Sequence, residues 1–310
     1  MVVVLAGGTG GAKLARGVLD VAGDVTVIAN TGDDVEVYGV HVSPDPDLVT
    51  YWLAGAIDEA RGFGIEDDTW EVMAALEAVG RPAWFRLGDR DLAMCLIRTE
   101  LLRDGERLTV AHRAVVSALG VEARVLPMCD QPVRTHVKRD GVWRPFQEFM
   151  ILDRAQGTIE DVAFHGIEHA RIAPEVRHAI AHADVILIGP SNPFISIDPI
   201  LAVPGMRRAL EQAQAPVVAV SPFVGGQVVK GPTLAFCRWA GVEPSARGIA
   251  AHYGDLLDGL VADEPAEGVP TAQTDTLMDS DEARRRVAAF CLEFATSLRR
   301  GGDPAPPAAR

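Results

Sequence analysis

Two stretches of this chain carry residue types that could do chemistry together. The first is Gly7-Gly8-Thr9-Gly10-Gly11, with Lys13 and Arg16 just beyond, directly after the apolar run Val2-Val3-Val4-Leu5. A glycine-rich turn between a buried strand and a helix lets backbone N–H groups and the helix N-terminus approach phosphate, and Lys13 would add charge. The second is "NTGDDVEVYGVHVSPDPD", residues 30–47, which holds Asp33, Asp34, Asp45 and Asp47. Hard divalent cations take carboxylate oxygens together with the oxygens of a phosphate substrate, and Asp33 and Asp45, brought together across the loop, would serve. Each stretch also has a plainer reading. Glycines permit a tight turn and close helix–sheet packing. Asp45 and Asp47 could cap a helix over 48–60, with Asp33 making a turn.

Neither common phosphate template fits. G-x-G-x-x-G counted from Gly8 asks for glycine where Lys13 stands, and the P-loop asks for Gly-Lys-Ser/Thr where the chain has Ala12-Lys13-Leu14. An NAD site also needs an acidic residue at the end of the second strand. Here that strand ends in Asn30, and Asp33 and Asp34 follow in a glycine-bearing loop, which reads less as a ribose grip than as a cation site.

Other polar segments are less specific. "GPSNPFISIDPIL" at 189–201 offers Ser191, Asn192 and Ser196 near a helix start, and "VVKGP" at 228–232 sets Lys230 ahead of a helix beginning at about 232. "RLGDRDLA" at 86–93 opens a helix with Asp89 as its cap and Arg90 and Asp91 in its first turn. There is no G-x-S-x-G elbow, and the eight histidines form no metal pattern. His178 and His182 are four apart, with no third ligand evident.

The elements that must position these residues are legible. "VVVL" at 2–5, "VTVIA" at 25–29, "DVILI" at 184–188 and "PVVAV" at 216–220 read as buried parallel strands. Helical patterns over 11–22, 90–102 and 282–298 lie between and after them. Strands alternating with helices imply a doubly wound α/β core with a mostly parallel sheet. Each strand is followed by a polar, glycine-bearing loop, and in such sheets ligands bind outside the carboxyl ends of the strands. The middle reads as a smaller inserted α+β subdomain, with a hairpin in 134–151 turning at Asp140-Gly141. The expected division is a core of 1–60 and 176–300, an insert of 61–175 and a disordered Pro/Ala-rich tail, 301–310.

The chain's 310 residues suit one large domain or one with a substantial insertion, and 48% hydrophobic and 23% charged residues are ordinary globular values. The formal net charge of -14 argues against a nucleic-acid partner. No apolar run approaches a membrane span and no signal segment is evident, so a cytoplasmic protein without a membrane partner is expected. Four scattered cysteines suit reduced thiols rather than disulfides or zinc.

Read in order, the loops resemble the 2-phospho-L-lactate transferase family of coenzyme F-420 biosynthesis. The resemblance rests on "GGTGGAKLARG" at 7–17, residues 30–47, "GDRDLA" at 88–93, "DQPVRT" at 130–135, "FQEF" at 146–149, residues 189–201, "SPFVGGQVVKGP" at 221–232 and "TDTLM" at 274–278. It runs nearly end to end. It implies a Rossmann-like core with an inserted subdomain, a homodimer, and a Mg²⁺-dependent reaction. The terminal ribityl hydroxyl of the deazaflavin FO would attack a guanosine diphosphate ester of lactate or enolpyruvate, and GMP would leave. Carried over by position, Asp33 and Asp45 match residues associated with metal and FO, with Asp33 also a candidate to orient the hydroxyl. Gly7, Gly8, Thr9, Gly10, Gly11, Lys13, Asn192, Ser196 and Lys230 match the nucleotide and phosphate motifs. Asp89, Arg90 and Arg134 would frame the FO pocket. The chain departs from the family's usual Pro-Asp-x-Asp-Thr at Asp47-Leu48-Val49, and "DDTWEVM" at 67–73 lacks a basic residue that relatives often carry. A different class sharing the fold and the glycine opening, a nucleotide-sugar-binding regulator without transferase activity, is the alternative.

Overall fold

The computed structural model describes residues 1–229 and 231–299; Lys230 and the 301–310 segment lie outside the described residues. In chain order the strands are β1 (Val2–Ala6), β2 (Val25–Ala29), β3 (Val35–Val37), β4 (Val40–Val42), β5 (Arg124–Pro127), β6 (Arg134–Arg139), β7 (Val142–Pro145), β8 (Asp161–His165), β9 (Val185–Ile188), β10 (Val217–Val220), β11 (Phe223–Val224), β12 (Gln227–Val228), β13 (Gly259–Ala262) and β14 (Thr271–Gln273). The helices are α1 (Gly8–Ala22), α2 (Pro44–Ala54), α3 (Glu71–Ala78), α4 (Asp89–Arg103), α5 (Leu108–Ala118), α6 (Phe146–Ile151), α7 (Pro174–Ala181), α8 (Asp198–Ala202), α9 (Met206–Glu211), α10 (Thr233–Ala240), α11 (Ala246–Tyr253) and α12 (Asp281–Arg299).

Seven strands form one parallel sheet in the order β14-β13-β10-β9-β1-β2-β5. The four runs of β-branched residues read from the sequence are its central strands, and they are buried on both faces. Along β1 the side chains alternate between two cores: Val3 and Leu5 join one, Val2, Val4 and Ala6 the other. The first core is filled from α6 to α11, the second chiefly from α1, α2 and α12. Chain direction across the sheet reverses between β1 and β9, so the loops after these two strands flank the switch point where doubly wound folds bind ligands.

Smaller units hang on this frame. The β3–β4 hairpin packs on α3, α4 and Phe85 in a third apolar cluster. β7-β6-β8 form an antiparallel sheet. Asp140 (φ 51°) and Gly141 (φ 73°) both take the left-handed region that the tight two-residue turn between β6 and β7 requires. The large sheet takes its edge strand β5 from within 61–175. Two boundaries move: α1 starts at Gly8, so the glycines form its first turn, and α2 spans 44–54 rather than 48–60. All four cysteines are free and buried, and no described helix is long and apolar enough to cross a membrane.

Close packing of α1 on α12 depends on Gly17. A Cβ there would overlap the Arg284 carbonyl oxygen and stand 3.2 Å from the Ala288 Cβ. Gly17→Ala should therefore lose about 1–3 kcal/mol of stability, read as a lowered urea midpoint at unchanged slope.

Candidate active site

The glycine turn is built first by packing. A Cβ at Gly7 would lie 2.6 Å from the Ser196 Cβ, one at Gly11 would lie 2.7 Å from the Ala6 Cβ, and one at Gly10 would overlap the Pro190 carbonyl oxygen. Absent side chains thus let α1 sit directly against the loop after β9. Two of its first-turn amides are spoken for. Gly8 N–H donates to Asp45 Oδ1 at 2.6 Å, and Gly11 N–H donates to Ser191 Oγ at 3.1 Å. Among the described residues the N–H groups of Thr9 and Gly10 have no partner, and both residues line a cavity of about 700 Å³. These are the donors a helix N-terminus offers to an anion.

Asn30, which follows β2, lies at the centre of the site and is fully buried. Its Nδ2 faces Asp45 Oδ2 at 2.9 Å, Asp33 Oδ1 at 3.2 Å and the Ile195 carbonyl at 3.2 Å. Its Oδ1 accepts from Gly32 N–H at 2.8 Å. Asp33 and Asp45 are thereby held around one nitrogen, and neither forms an ion pair among the described residues. Burial raises the Asp33 pKa well above the usual carboxylate range, and the Asp45 charge adds to this. Burial also pushes Asp45 up to about 6, against hydrogen bonds from Asn30 and Gly8. Two desolvated carboxylates held on one amide nitrogen, with no ion pair among the described residues, fit a hard divalent cation such as Mg²⁺.

The acidic loop is braced from outside. His41 bridges Asp34 Oδ2 at 2.9 Å and Glu36 Oε1 at 2.8 Å, and Ser43 Oγ donates to Asp34 Oδ1 at 2.7 Å. Burial works against charge on His41, but the two carboxylates prevail and lift its pKa to about 9. Arg134 Nη2 reaches the same Glu36 oxygen at 3.1 Å, and Thr135 N–H donates to the Gly32 carbonyl at 2.7 Å, which ties β6 to the loop.

From Asp45, α2 runs along the cavity wall. Asp47, Leu48 and Tyr51 follow on the same wall, so the departure from the family pattern at Leu48 bears on the pocket itself. Tyr51 Oη donates to Asp91 Oδ1 at 2.6 Å, and burial, reinforced by the Asp47 charge, pushes Asp91 up to about 7. Behind them the fully buried Arg98 pairs with Asp47 and donates to the His41 carbonyl at 3.2 Å. Phe63, Trp84, Phe85 and Arg86 line the same cavity with Asp91. Thr9, Gly10, Ser191, Asn192, Ser196 and Ser221 also line it, beside the glycine turn. Asn192 caps the turn after β9, its Oδ1 accepting from Phe194 N–H at 3.0 Å, while its buried Nδ2 has no partner among the described residues.

The sequence-predicted residues therefore divide. Gly7, Gly8, Thr9, Gly10, Lys13, Asp33, Asp45, Asn192 and Ser196 share the cavity, and Gly11 stands just behind it. Lys13 Nζ donates to the Met278 carbonyl at 2.8 Å and lies 5.6 Å from the Trp52 ring centre. Lys230 is outside the described residues. Asp89, Arg90 and Arg134 are not on the cavity wall. Asp89 does not cap its own helix as the sequence suggests: its carboxylate accepts from Thr69, Glu71 and Val72 and so caps α3, whereas Asp68 accepts from Arg90 N–H and Asp91 N–H and caps α4. The two helices exchange caps, which spacing along one chain does not reveal. Sequence reasoning also missed Asn30 and the Tyr51–Asp91 pair.

Fold and site together define a doubly wound α/β protein with a glycine-rich helix N-terminus and a buried carboxylate pair at the switch point. The chain matches the family described as 2-phospho-L-lactate transferase CofD over residues 2–288, and it belongs to that family of enzymes. It is 41% identical over 318 residues to a phosphoenolpyruvate transferase of Kitasatospora aureofaciens, covering 97% of this chain and 99% of that one. It is 37% identical over 302 residues to a 2-phospho-L-lactate transferase of Methanosarcina mazei, covering 94% and 99%. Crystal structures of a Bacillus halodurans protein of the UPF0052 family share the fold, with a TM-score of 0.62 at 20% identity, covering 94% of this chain and 98% of that one.

The His41 bridge gives a signed pH dependence. A histidine raised from about 6.5 when unfolded to about 9 when folded stabilises fully below pH 6.5, and that stabilisation is lost as pH rises through 9. Between those limits the wild type should lose up to roughly 3 kcal/mol from this group. His41→Gln should flatten that part of the curve of urea midpoint against pH.

Proposed function

We propose that the chain transfers a phosphoenolpyruvyl or 2-phospho-L-lactyl group from a guanosine diphosphate-linked donor to the terminal ribityl hydroxyl of FO. The products would be GMP and coenzyme F-420-0 or its dehydro form. The observation that carries this reading is the placing of the Asp33–Asp45 pair in one cavity with two chemically different sets of groups. One set is the Thr9 and Gly10 amides with the Asn192 amide nitrogen, suited to a diphosphate. The other is Phe63, Trp84 and Phe85, suited to a planar ring. The helix α2 spans the interval: Asp45 and Tyr51 are six residues apart, about 9 Å at the helical rise.

In this reading the hydroxyl oxygen bonds to the distal phosphorus of the donor, the phosphorus–oxygen bond of the bridge breaks, and GMP leaves with the bridging oxygen. Asp33, whose burial raises its basicity, orients the hydroxyl and takes its proton. Asp33 and Asp45 would hold Mg²⁺, which supplies charge neutralisation at the diphosphate oxygens. The first-turn amides of α1 fix the diphosphate in line, since positioning and charge stabilisation do most of the work in such transfers. Relatives named phosphoenolpyruvate transferase reach 41% identity against 37–38% for those named 2-phospho-L-lactate transferase, which favours the enolpyruvyl donor. The transferase names of these relatives also favour this reading over a nucleotide-sugar-binding regulator.

Mass spectrometry of the product formed from FO with each donor tests the proposal directly. The expected product is a phosphodiester of FO that retains the enolpyruvyl or lactyl group, with GMP released in equal amount. Asp33→Asn and Asp45→Asn should each lower turnover by at least about 100-fold. Full turnover in both variants would remove the carboxylates from the mechanism.

A further inference from the structure

Asn30 has three oxygens around one nitrogen that carries two hydrogens. Those oxygens belong to Asp45, Asp33 and Ile195, at 2.9, 3.2 and 3.2 Å. The side chain itself cannot turn away: its Oδ1 is held by Gly32 N–H, its backbone N–H donates to the Ala6 carbonyl at 3.0 Å, and it is fully buried. It therefore fixes the rotamers of two carboxylates that come from different segments, one in the loop after β2 and one in the first turn of α2.

The neighbouring acidic group is built on a different plan. Ligand-type atoms of Asp47, Asp91 and Cys95 also lie within 4.8 Å of one another. There the protein supplies its own counter-charge, because the Arg98 guanidinium pairs with Asp47. At Asp33 and Asp45 the partners among the described residues are neutral N–H donors, the Asn30 amide and the Gly8 N–H. Neutral donors hold the two carboxyl groups in place without a built-in counter-charge, which leaves the pair able to ionise against a cation from outside.

We propose that Asn30 is the positioning residue of this pair, its amide setting the separation of Asp33 and Asp45 and thereby how tightly they hold a hard divalent cation. The proposal rests on reading the pair as the cation site. Residues that orient metal ligands without touching the metal typically change affinity by about 10–100-fold when altered.

The test is calorimetric titration of Mn²⁺ alone into the purified full chain, with melting followed in parallel with and without Mn²⁺. Asn30→Ser removes the amide and should weaken Mn²⁺ binding by about 10–100-fold. Asn30→Asp keeps the size but replaces the donor with a third anionic group. It should melt lower than wild type without metal and recover more than wild type when Mn²⁺ is added. A role in folding alone predicts that Mn²⁺ shifts both variants as it shifts wild type, and that result overturns the proposal. Asp45→Asn separates the two layers of the argument. If wild type binds Mn²⁺ and Asp45→Asn does not, the cation reading stands, and unchanged affinity in Asn30→Ser then counts against Asn30 alone. If wild type does not bind, the cation reading falls and the role of Asn30 falls with it.

Discussion

Two carboxylates buried with no positive partner among the described residues are an unstable arrangement, and the architecture around Asp33 and Asp45 is largely the means of tolerating it. Taking an ion out of water costs several kcal/mol unless hydrogen bonds or a counter-charge compensate. Here the compensation is made of neutral dipoles: the Asn30 amide and the Gly8 N–H at the positive end of α1. Both come from segments that leave the sheet at its carboxyl edge, on adjacent strands β1 and β2. The site could not be assembled on one loop, because no single loop offers a helix N-terminus and a buried amide facing the same point.

The protein treats its other buried acids differently, and the contrast sets the Asp33–Asp45 pair apart. Asp47 receives the Arg98 guanidinium, and Asp34 receives His41, which Glu36 also holds. Arg98 and His41 lie off the cavity wall, and the pairs they form keep their charge internal. Their task is rigidity. The acidic loop is fixed from behind by Arg98 through the His41 carbonyl and from the side by β6 through the Gly32 carbonyl. A loop clamped in this way can hold a carboxylate pair at a constant spacing, which loops left free do not do.

Much of the frame was legible because it rests on local patterns. Four β-branched runs read as buried strands and Asp140-Gly141 as a tight turn, and the structure has both, with the two turn positions at φ above zero. Asp33 and Asp45 were legible from chemistry and from a family resemblance, but Asn30 was not. An asparagine after a strand is an ordinary turn residue until the fold shows that its side chain points inward to meet α2. The exchange of caps between α3 and α4 was hidden for the same reason: Asp68 and Asp89 each serve the helix that sequence proximity assigns to the other. Helix starts were misplaced where glycine and proline occupy the first turn, as in α1 and α2, because these residues read as loop signals in sequence.

The glycine turn shows how one motif can serve close packing and still leave backbone donors free on the cavity wall. Gly7, Gly10 and Gly11 are demanded by the close approach of the loop after β9 and by Ala6, which is the plainer of the two readings. That same approach brings Asn192 and Ser196 beside the first turn of α1. With Gly8 and Gly11 already bonded to Asp45 and Ser191, the donors left over are those of Thr9 and Gly10, on the cavity wall. Neither nucleotide template fits the sequence, and the turn is shaped by a protein neighbour, the loop after β9. The spacing found here is the one that packs the two loops together and still leaves two amides exposed between them.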